Sequence, residues 1–116
     1  MIVAVDFDDT IAEDAYPEIG KIDTGAVWVL RRLHGSGHKI ILYTCREGEQ
    51  LKDVLRVLGQ DGVKFDAVNS QVAGNEAFGR KPRADLYIDD KAYPQNKIDW
   101  DEIEKWLEDM GWLAES

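Results

Sequence analysis

Two aspartates one residue apart, Asp6 and Asp8 in the run Asp6-Phe7-Asp8-Asp9-Thr10, close an apolar stretch near the start of the chain. Residues i and i+2 of an extended segment point the same way, so both carboxylates face one side. A second acidic pair, Asp89 and Asp90, follows Leu86-Tyr87-Ile88 and precedes Lys91. Thr44, Cys45 and Arg46 follow another apolar run, and Asn69, Ser70 and Gln71 follow a shorter one. Lys81 sits in Gly79-Arg80-Lys81-Pro82. Asp6, Asp8, Asp89 and Asp90 gathered in one place could not all stay ionised without a counter-charge. A hard divalent cation supplies one, and Mg²⁺ typically takes one or two carboxylates while its other positions hold water and phosphate. Lys81 adds a second positive charge, and Thr44 a hydroxyl just before a helix N-terminus. That donor set suits a phosphate group.

These residues need elements that deliver them to one place. Ile2 to Phe7 is almost wholly apolar, as expected of a strand buried on both faces of a parallel sheet, and His38 to Tyr43 repeats the pattern. Phe65 to Val68 and Ala84 to Ile88 are shorter strand candidates. Thr24 to His34 predicts a helix ending at Gly35, and Gly48 to Leu58, with Leu51, Val54, Leu55 and Leu58 on one face, predicts another ending at Gly59. Asp99 and Glu102 have capping-box spacing, so a C-terminal helix over about 99–110 packs on the core. Ser70 to Gly79 holds at most a short helix, and Tyr16-Pro17-Glu18-Ile19-Gly20 reads as a small flap over the site. Strands alternating with helices predict an α/β fold: a Rossmann-like three-layer sandwich, its mainly parallel sheet covered by helices on both faces through right-handed crossovers. Ligands of such sheets bind outside the carboxyl ends of the strands, where these polar residues collect.

The motifs carry a resemblance. Asp6-Phe7-Asp8-Asp9-Thr10 resembles the first motif of the haloacid dehalogenase-like superfamily, Asp-x-Asp-x-Thr/Val. Thr44 at the end of an apolar strand resembles the second, Lys81 before Pro82 the third, and Asp89-Asp90 the acidic fourth. The four stand in family order over residues 2 to 91. The resemblance implies a Mg²⁺-dependent phosphatase in which Asp6 attacks phosphorus and forms an aspartyl-phosphate. Asp8 protonates the leaving oxygen and then activates water, while its backbone carbonyl binds Mg²⁺. Thr44 and Lys81 hold the phosphoryl oxygens, and Asp89 and Asp90 anchor the metal. Only about a dozen residues separate Thr10 from the first helix, and Val68 to Lys81 is as short, so the chain resembles a member without a cap domain. Such members act on large substrates or borrow a lid from a neighbouring subunit. Transfer of the phosphoryl group to an acceptor other than water stays open, as does a non-catalytic phosphate- or metal-binding module. So does the phosphorylated substrate itself, small molecule or macromolecule.

Plainer readings compete at several positions. Arg80 rivals Lys81 as the phosphoryl clamp, and Asp90 either joins the metal site or caps the following turn. Arg46 is a solvated charge at a helix start or a substrate contact. Cys45 reads as a small, partly buried neighbour of Thr44 that would line the substrate site, and His34 and His38 as exposed or capping. Trp100, Trp106 and Trp112 read as packing, though an exposed pair could form the face of a homo-oligomer.

The remaining features set limits. The 116 residues suffice for one domain, 1–116, and 44% hydrophobic content for a core. A net charge of −9 repels nucleic acids and anionic membranes. No apolar run is long enough to span a bilayer. Met1 to Val5 runs straight into Asp6 without a basic leader, and the single cysteine suits a reducing compartment, so the cytoplasm is the simplest location.

Overall fold

The computed structural model describes residues 1–74, 83–91 and 98–114. In chain order the elements are β1 (Ile2–Val5), β2 (Ala12–Ala15), β3 (Glu18–Ile22), α1 (Thr24–Gly35), β4 (Lys39–Leu42), α2 (Gly48–Gln60), β5 (Ala67–Val68), β6 (Leu86–Ile88) and α3 (Trp100–Asp109). Four strands form a parallel sheet in the order β5-β4-β1-β6, so the fold is mixed α/β as expected. Val3 pairs with Ile40 and Leu86, and Val5 with Leu42 and Ile88, which places the ends of β1, β4 and β6 side by side.

The two faces of this sheet are unequal. Val3, Val5, Ile40 and Leu42 belong to one large cluster that also holds Leu30 and Leu33 of α1, Val54 and Leu58 of α2, and Trp100 and Leu107 of α3. Ala4 and Ile41, on the opposite parity, belong to a small cluster with Val72. Among the described residues the helices therefore gather on one face, whereas the sequence reading placed helices on both. Strand order explains it. The chain steps from β1 to β4 to β5 in one direction, and right-handed crossovers put α1 and α2 on the same side; Val72, after β5, packs against Ala4 and Ile41 on the other. Ser70–Gly74 contains no helix, and the rest of the segment expected to hold a short one lies outside the described residues.

Helix ends follow local chemistry with small shifts. Asp23 caps α1 by accepting from the Gly25 N–H at 2.8 Å, and Asp99 caps α3 by accepting from Asp101 and Glu102 at 3.0 and 3.2 Å. α1 and α2 run through Gly35 and Gly59, the expected stops. The left-handed residues after them are instead Gly37 and Gly62. None of the described helices is long and apolar enough to cross a membrane.

The flap predicted at Tyr16 to Gly20 is the turn and second strand of an antiparallel hairpin, β2–β3, pairing Ala12 with Ile22 and Ala15 with Glu18. The register shifts between Ala12 and Asp14, and at this irregularity Gly20 passes close to the Glu13 backbone. A Cβ on Gly20 would stand 1.9 Å from the Glu13 carbonyl oxygen, so only glycine fits without moving a strand. Gly20→Ala should accordingly lose about 1–3 kcal/mol of stability through overpacking in the hairpin. Urea denaturation of the two proteins side by side measures this, and equal midpoints would show that the hairpin does not need the close approach.

Candidate active site

The site forms where β1 ends. Phe7 continues the core face of Val3 and Val5 and is fully buried, so Asp6 and Asp8, one residue to either side, take the opposite parity. The chain then turns tightly: the N–H groups of Thr10, Ile11 and Ala12 all lie within 3.2 Å of the Phe7 carbonyl oxygen. Asp9 adopts a left-handed conformation (φ 59°), which aspartate tolerates better than most residues, and its carboxylate accepts from the Asp14 N–H at 3.1 Å.

Asp6, Asp89 and Asp90 come together. One carboxylate oxygen from each lies within 4.8 Å of the others, at the ends of the neighbouring strands β1 and β6. The Asp6 carboxylate accepts from the Phe7 N–H at 2.7 Å, but burial pushes its pKa up from 3.8 to about 6, helped by the charges of Asp89, Asp90 and Asp8. The Asp90 pKa is also raised, first by burial, then by its hydrogen bond with Asp89 and that residue's charge. Asp89 is braced by the Lys91 N–H at 2.9 Å, whereas the buried Oδ1 of Asp90 has no hydrogen-bond partner among the described residues. An unpartnered buried oxygen and a carboxyl held back from ionising both fit a cation placed between these groups. The donor set is all oxygen, which suits Mg²⁺ over softer metals.

Thr10 ties this cluster to α3. Its hydroxyl accepts from the Asp90 N–H at 3.2 Å, and its carbonyl accepts from the buried Trp100 Nε1–H at 2.7 Å. Trp100 is thus the packing residue expected, with a positioning link to Asp90 that the sequence did not suggest. A cavity of about 670 Å³ opens beside Asp90, lined also by Asp9, Thr10, Glu13, Lys21 and Asp23.

On the other side of β1 the residues after β4 meet Asp8. Thr44 is buried; its N–H donates to the Asn69 side chain at 2.8 Å, and its hydroxyl accepts from the Arg46 N–H at 3.1 Å. Asn69 itself is left-handed (φ 51°), a polar residue after a strand whose support of Thr44 only the fold discloses. Arg46 is 2% exposed, so it is not a solvated charge. Its Nε and Nη2 donate to the two Asp8 oxygens at 2.9 and 2.8 Å, and Nη2 and Nη1 also donate to the carbonyls of Glu18 and Pro17 at 2.7 and 3.2 Å. The guanidinium lies 5.2 Å from the Phe7 ring centroid and 5.1 Å from that of Tyr16. The hydrogen bonds to Asp8 raise the Arg46 pKa further against its burial.

Asp8 therefore has both carboxylate oxygens on Arg46, apart from the Asp6, Asp89 and Asp90 group. Cys45 is exposed, in contrast to the partly buried neighbour expected. His38 is half-buried, with Nε2 2.6 Å from the Trp112 carbonyl and its ring stacked on that indole, so it is engaged by the C-terminal segment. Lys81 and Arg80 lie outside the described residues.

The raised Asp6 pKa has a consequence for stability. The folded chain holds this proton more tightly than the unfolded chain, so the contribution is fully present below pH 3.8 and is lost as pH rises through about 6. Asp6→Asn removes that penalty. In EDTA, the melting temperature of Asp6→Asn relative to the unsubstituted protein should climb between pH 4 and pH 7. A difference independent of pH would mean that Asp6 ionises in the fold as freely as in water.

No family model matches the chain, and no curated protein does. Among solved structures, a conserved protein from Bacteroides thetaiotaomicron is similar to it with a TM-score of 0.86 and 37% sequence identity, over 95% of this chain and 91% of that one.

Proposed function

We propose that this chain, which belongs to the same family as the conserved Bacteroides thetaiotaomicron protein, is a Mg²⁺-dependent phosphate-monoester hydrolase that works through an aspartyl-phosphate at Asp6. The observation that carries the reading is the meeting of Asp6, Asp89 and Asp90 at the ends of two adjacent parallel strands, with Thr44 and Asp8 on the other side of the same strand end. The resemblance of these segments to the haloacid dehalogenase-like motifs supports it.

The Asp6 carboxylate attacks phosphorus, the ester P–O bond breaks, and the leaving oxygen takes a proton from Asp8. Water then attacks the phosphorus of the aspartyl-phosphate and passes a proton to Asp8, releasing phosphate and restoring Asp6. A pKa of about 6 leaves Asp6 mostly ionised at pH 7, as a nucleophile requires. The Thr44 hydroxyl accepts from Arg46 N–H and so has its own proton to donate to a phosphoryl oxygen. Lys81 offsets the phosphoryl charge. Asp6, Asp89 and Asp90 would hold Mg²⁺ together with the Asp8 backbone carbonyl, and the ion would supply charge neutralisation and polarisation of the phosphoryl group.

The same reading takes the architecture as a Rossmann-like three-layer arrangement without a cap domain, supported by the chain's return across the Ala4 and Ile41 face. It takes the location as the cytoplasm, supported by the single cysteine. A non-catalytic phosphate- or metal-binding module is the second reading, favoured by one feature: Asp8 has both oxygens engaged by Arg46.

Turnover of a panel of phosphate esters with Mg²⁺ separates the two. The protein should hydrolyse at least one of them, and Asp6→Asn should lower kcat by about 10⁴-fold or more, as loss of a nucleophile does. Activity in Asp6→Asn close to that of the unsubstituted protein would sink the covalent route, and no turnover of any ester would leave the binding module. Mg²⁺ should raise the melting temperature over EDTA, by more at pH 7.5 than at pH 5, because below about 6 binding must first displace the Asp6 proton. Lys81→Ala should cost about a hundredfold in kcat/KM, as loss of a pre-organised charge donor does. A larger loss in Arg80→Ala would transfer the clamp to Arg80.

A further inference from the structure

We infer that Arg46 is the positioning residue of this site, fastening the Asp8 carboxylate and the β2–β3 hairpin into one unit, so that the hairpin cannot lift without releasing Asp8. The catalytic half of this inference rests on the phosphatase reading; the coupling itself does not.

The geometry leaves the guanidinium little freedom. Of its five N–H groups, two serve Asp8, one the Glu18 carbonyl and one the Pro17 carbonyl. The Phe7 and Tyr16 ring centroids lie 5.2 and 5.1 Å from it. The backbone beneath it is anchored as well, since the Arg46 N–H donates to the Thr44 hydroxyl. Phe7 belongs to the core, so that ring is fixed, whereas Tyr16, Pro17 and Glu18 form the hairpin tip and move with it. Lifting the tip would strip the guanidinium of one ring and two acceptors. A buried cation with unmet donors reorients to recover them. Nη2 serves Glu18 and Asp8 together, so reorientation disturbs the fork that sets the two Asp8 oxygens.

The tie works through the backbone carbonyls of Pro17 and Glu18; Asp8 meets the hairpin directly only at its base among the described residues, where it bridges to Ala12, so the tip is where a link through Arg46 is read. Loosening Asp8 must then loosen the tip, because coupling between two groups is reciprocal. A guanidinium that merely filled space would transmit nothing of the kind. Lysine keeps the charge but loses the planar fork, so it should not restore the unit.

Hydrogen exchange over residues 12–22 in EDTA, read for the unsubstituted protein, Asp8→Asn, Arg46→Lys and the double variant, tests the coupling. Both single substitutions should speed exchange of the hairpin amides by about tenfold or more, and the double variant should be no faster than the faster single one. Kinetics on para-nitrophenyl phosphate with Mg²⁺ should show kcat of Arg46→Lys reduced by about tenfold or more with KM changed by less than about threefold, the signature of lost alignment. Hairpin exchange in Asp8→Asn equal to that of the unsubstituted protein overturns the coupling, and it does so even if Arg46→Lys fails to fold. A folded Arg46→Lys with full kcat overturns the positioning role. Absence of any turnover in the unsubstituted protein defeats the phosphatase reading alone, since the exchange measurements still decide the coupling.

Discussion

A guanidinium with almost no access to water must find its counter-charge and its hydrogen-bond acceptors where it stands, and Arg46 imposes that demand on this fold. One carboxylate, two main-chain carbonyls and two aromatic rings meet it. Those five partners come from three places: Asp8 from the end of β1, Phe7 from the core side of that end, and Tyr16, Pro17 and Glu18 from the hairpin tip. Removing any one would leave a buried charge short of its partners. The loop after β4, the turn after β1 and the hairpin are therefore held in register by one side chain, and the orientation of Asp8 follows from it.

Strand order distributes the rest. β1 is an inner strand between β4 and β6, and the chain leaves it in one direction and comes back on the other side. Such a reversal opens a crevice at the carboxyl ends of the strands. Here the crevice is electrically divided. Asp89 and Asp90 arrive from β6 on one side, with a raised pKa at Asp90 and an unpartnered oxygen. Thr44 and the cationic Arg46 arrive after β4 on the other. Asp6 and Asp8, two residues apart on the central strand, are drawn in opposite ways: Asp6 into the acidic group, Asp8 onto the arginine. Two carboxylates of identical chemistry thus acquire different environments from their neighbours, one among like charges and the other against a cation.

Much of this was legible in the chain because it is written in side-chain type. Runs such as Ile2 to Val5 and Lys39 to Leu42 declare buried parallel strands, and polar residues placed directly after them declare a strand-end site. What stayed hidden depends on partners distant in sequence. Ala12-Glu13-Asp14-Ala15 has weak strand propensity and three exposed positions, so nothing local marks β2 as a strand; its pairing with β3 makes it one. Arg46 itself reads as a surface residue, as arginine does on average, because two of its acceptors are backbone carbonyls that carry no side-chain signature. The gathering of three helices on one face was out of reach for a similar reason: helix periodicity records an apolar stripe, not the order in which strands lie. Lys81 and Arg80 remain distinguished only by family spacing.

The cluster of Asp6, Asp89 and Asp90 also bears on why the fold tolerates it. A structure shaped by stability alone would not press three carboxylates to within 4.8 Å, hold the pKa of one near 6 and leave a buried oxygen of another without a hydrogen bond. The surroundings relieve these groups only in part, the Phe7 N–H easing Asp6 and Lys91 easing Asp90, and otherwise brace them. Thr10 fixes Asp90 and is fixed in turn by Trp100, the Lys91 N–H fixes Asp89, and the Phe7 N–H fixes Asp6. Each bond goes to the main chain or comes from it, so each costs the cluster mobility without cancelling its charge. An arrangement that is rigid, negatively charged and short of positive charge at its centre is complementary to a cation that arrives from outside. On the proposed reading, a cation held here would offset the like charges that raise the Asp6 and Asp90 pKa and give the Asp90 Oδ1 a partner.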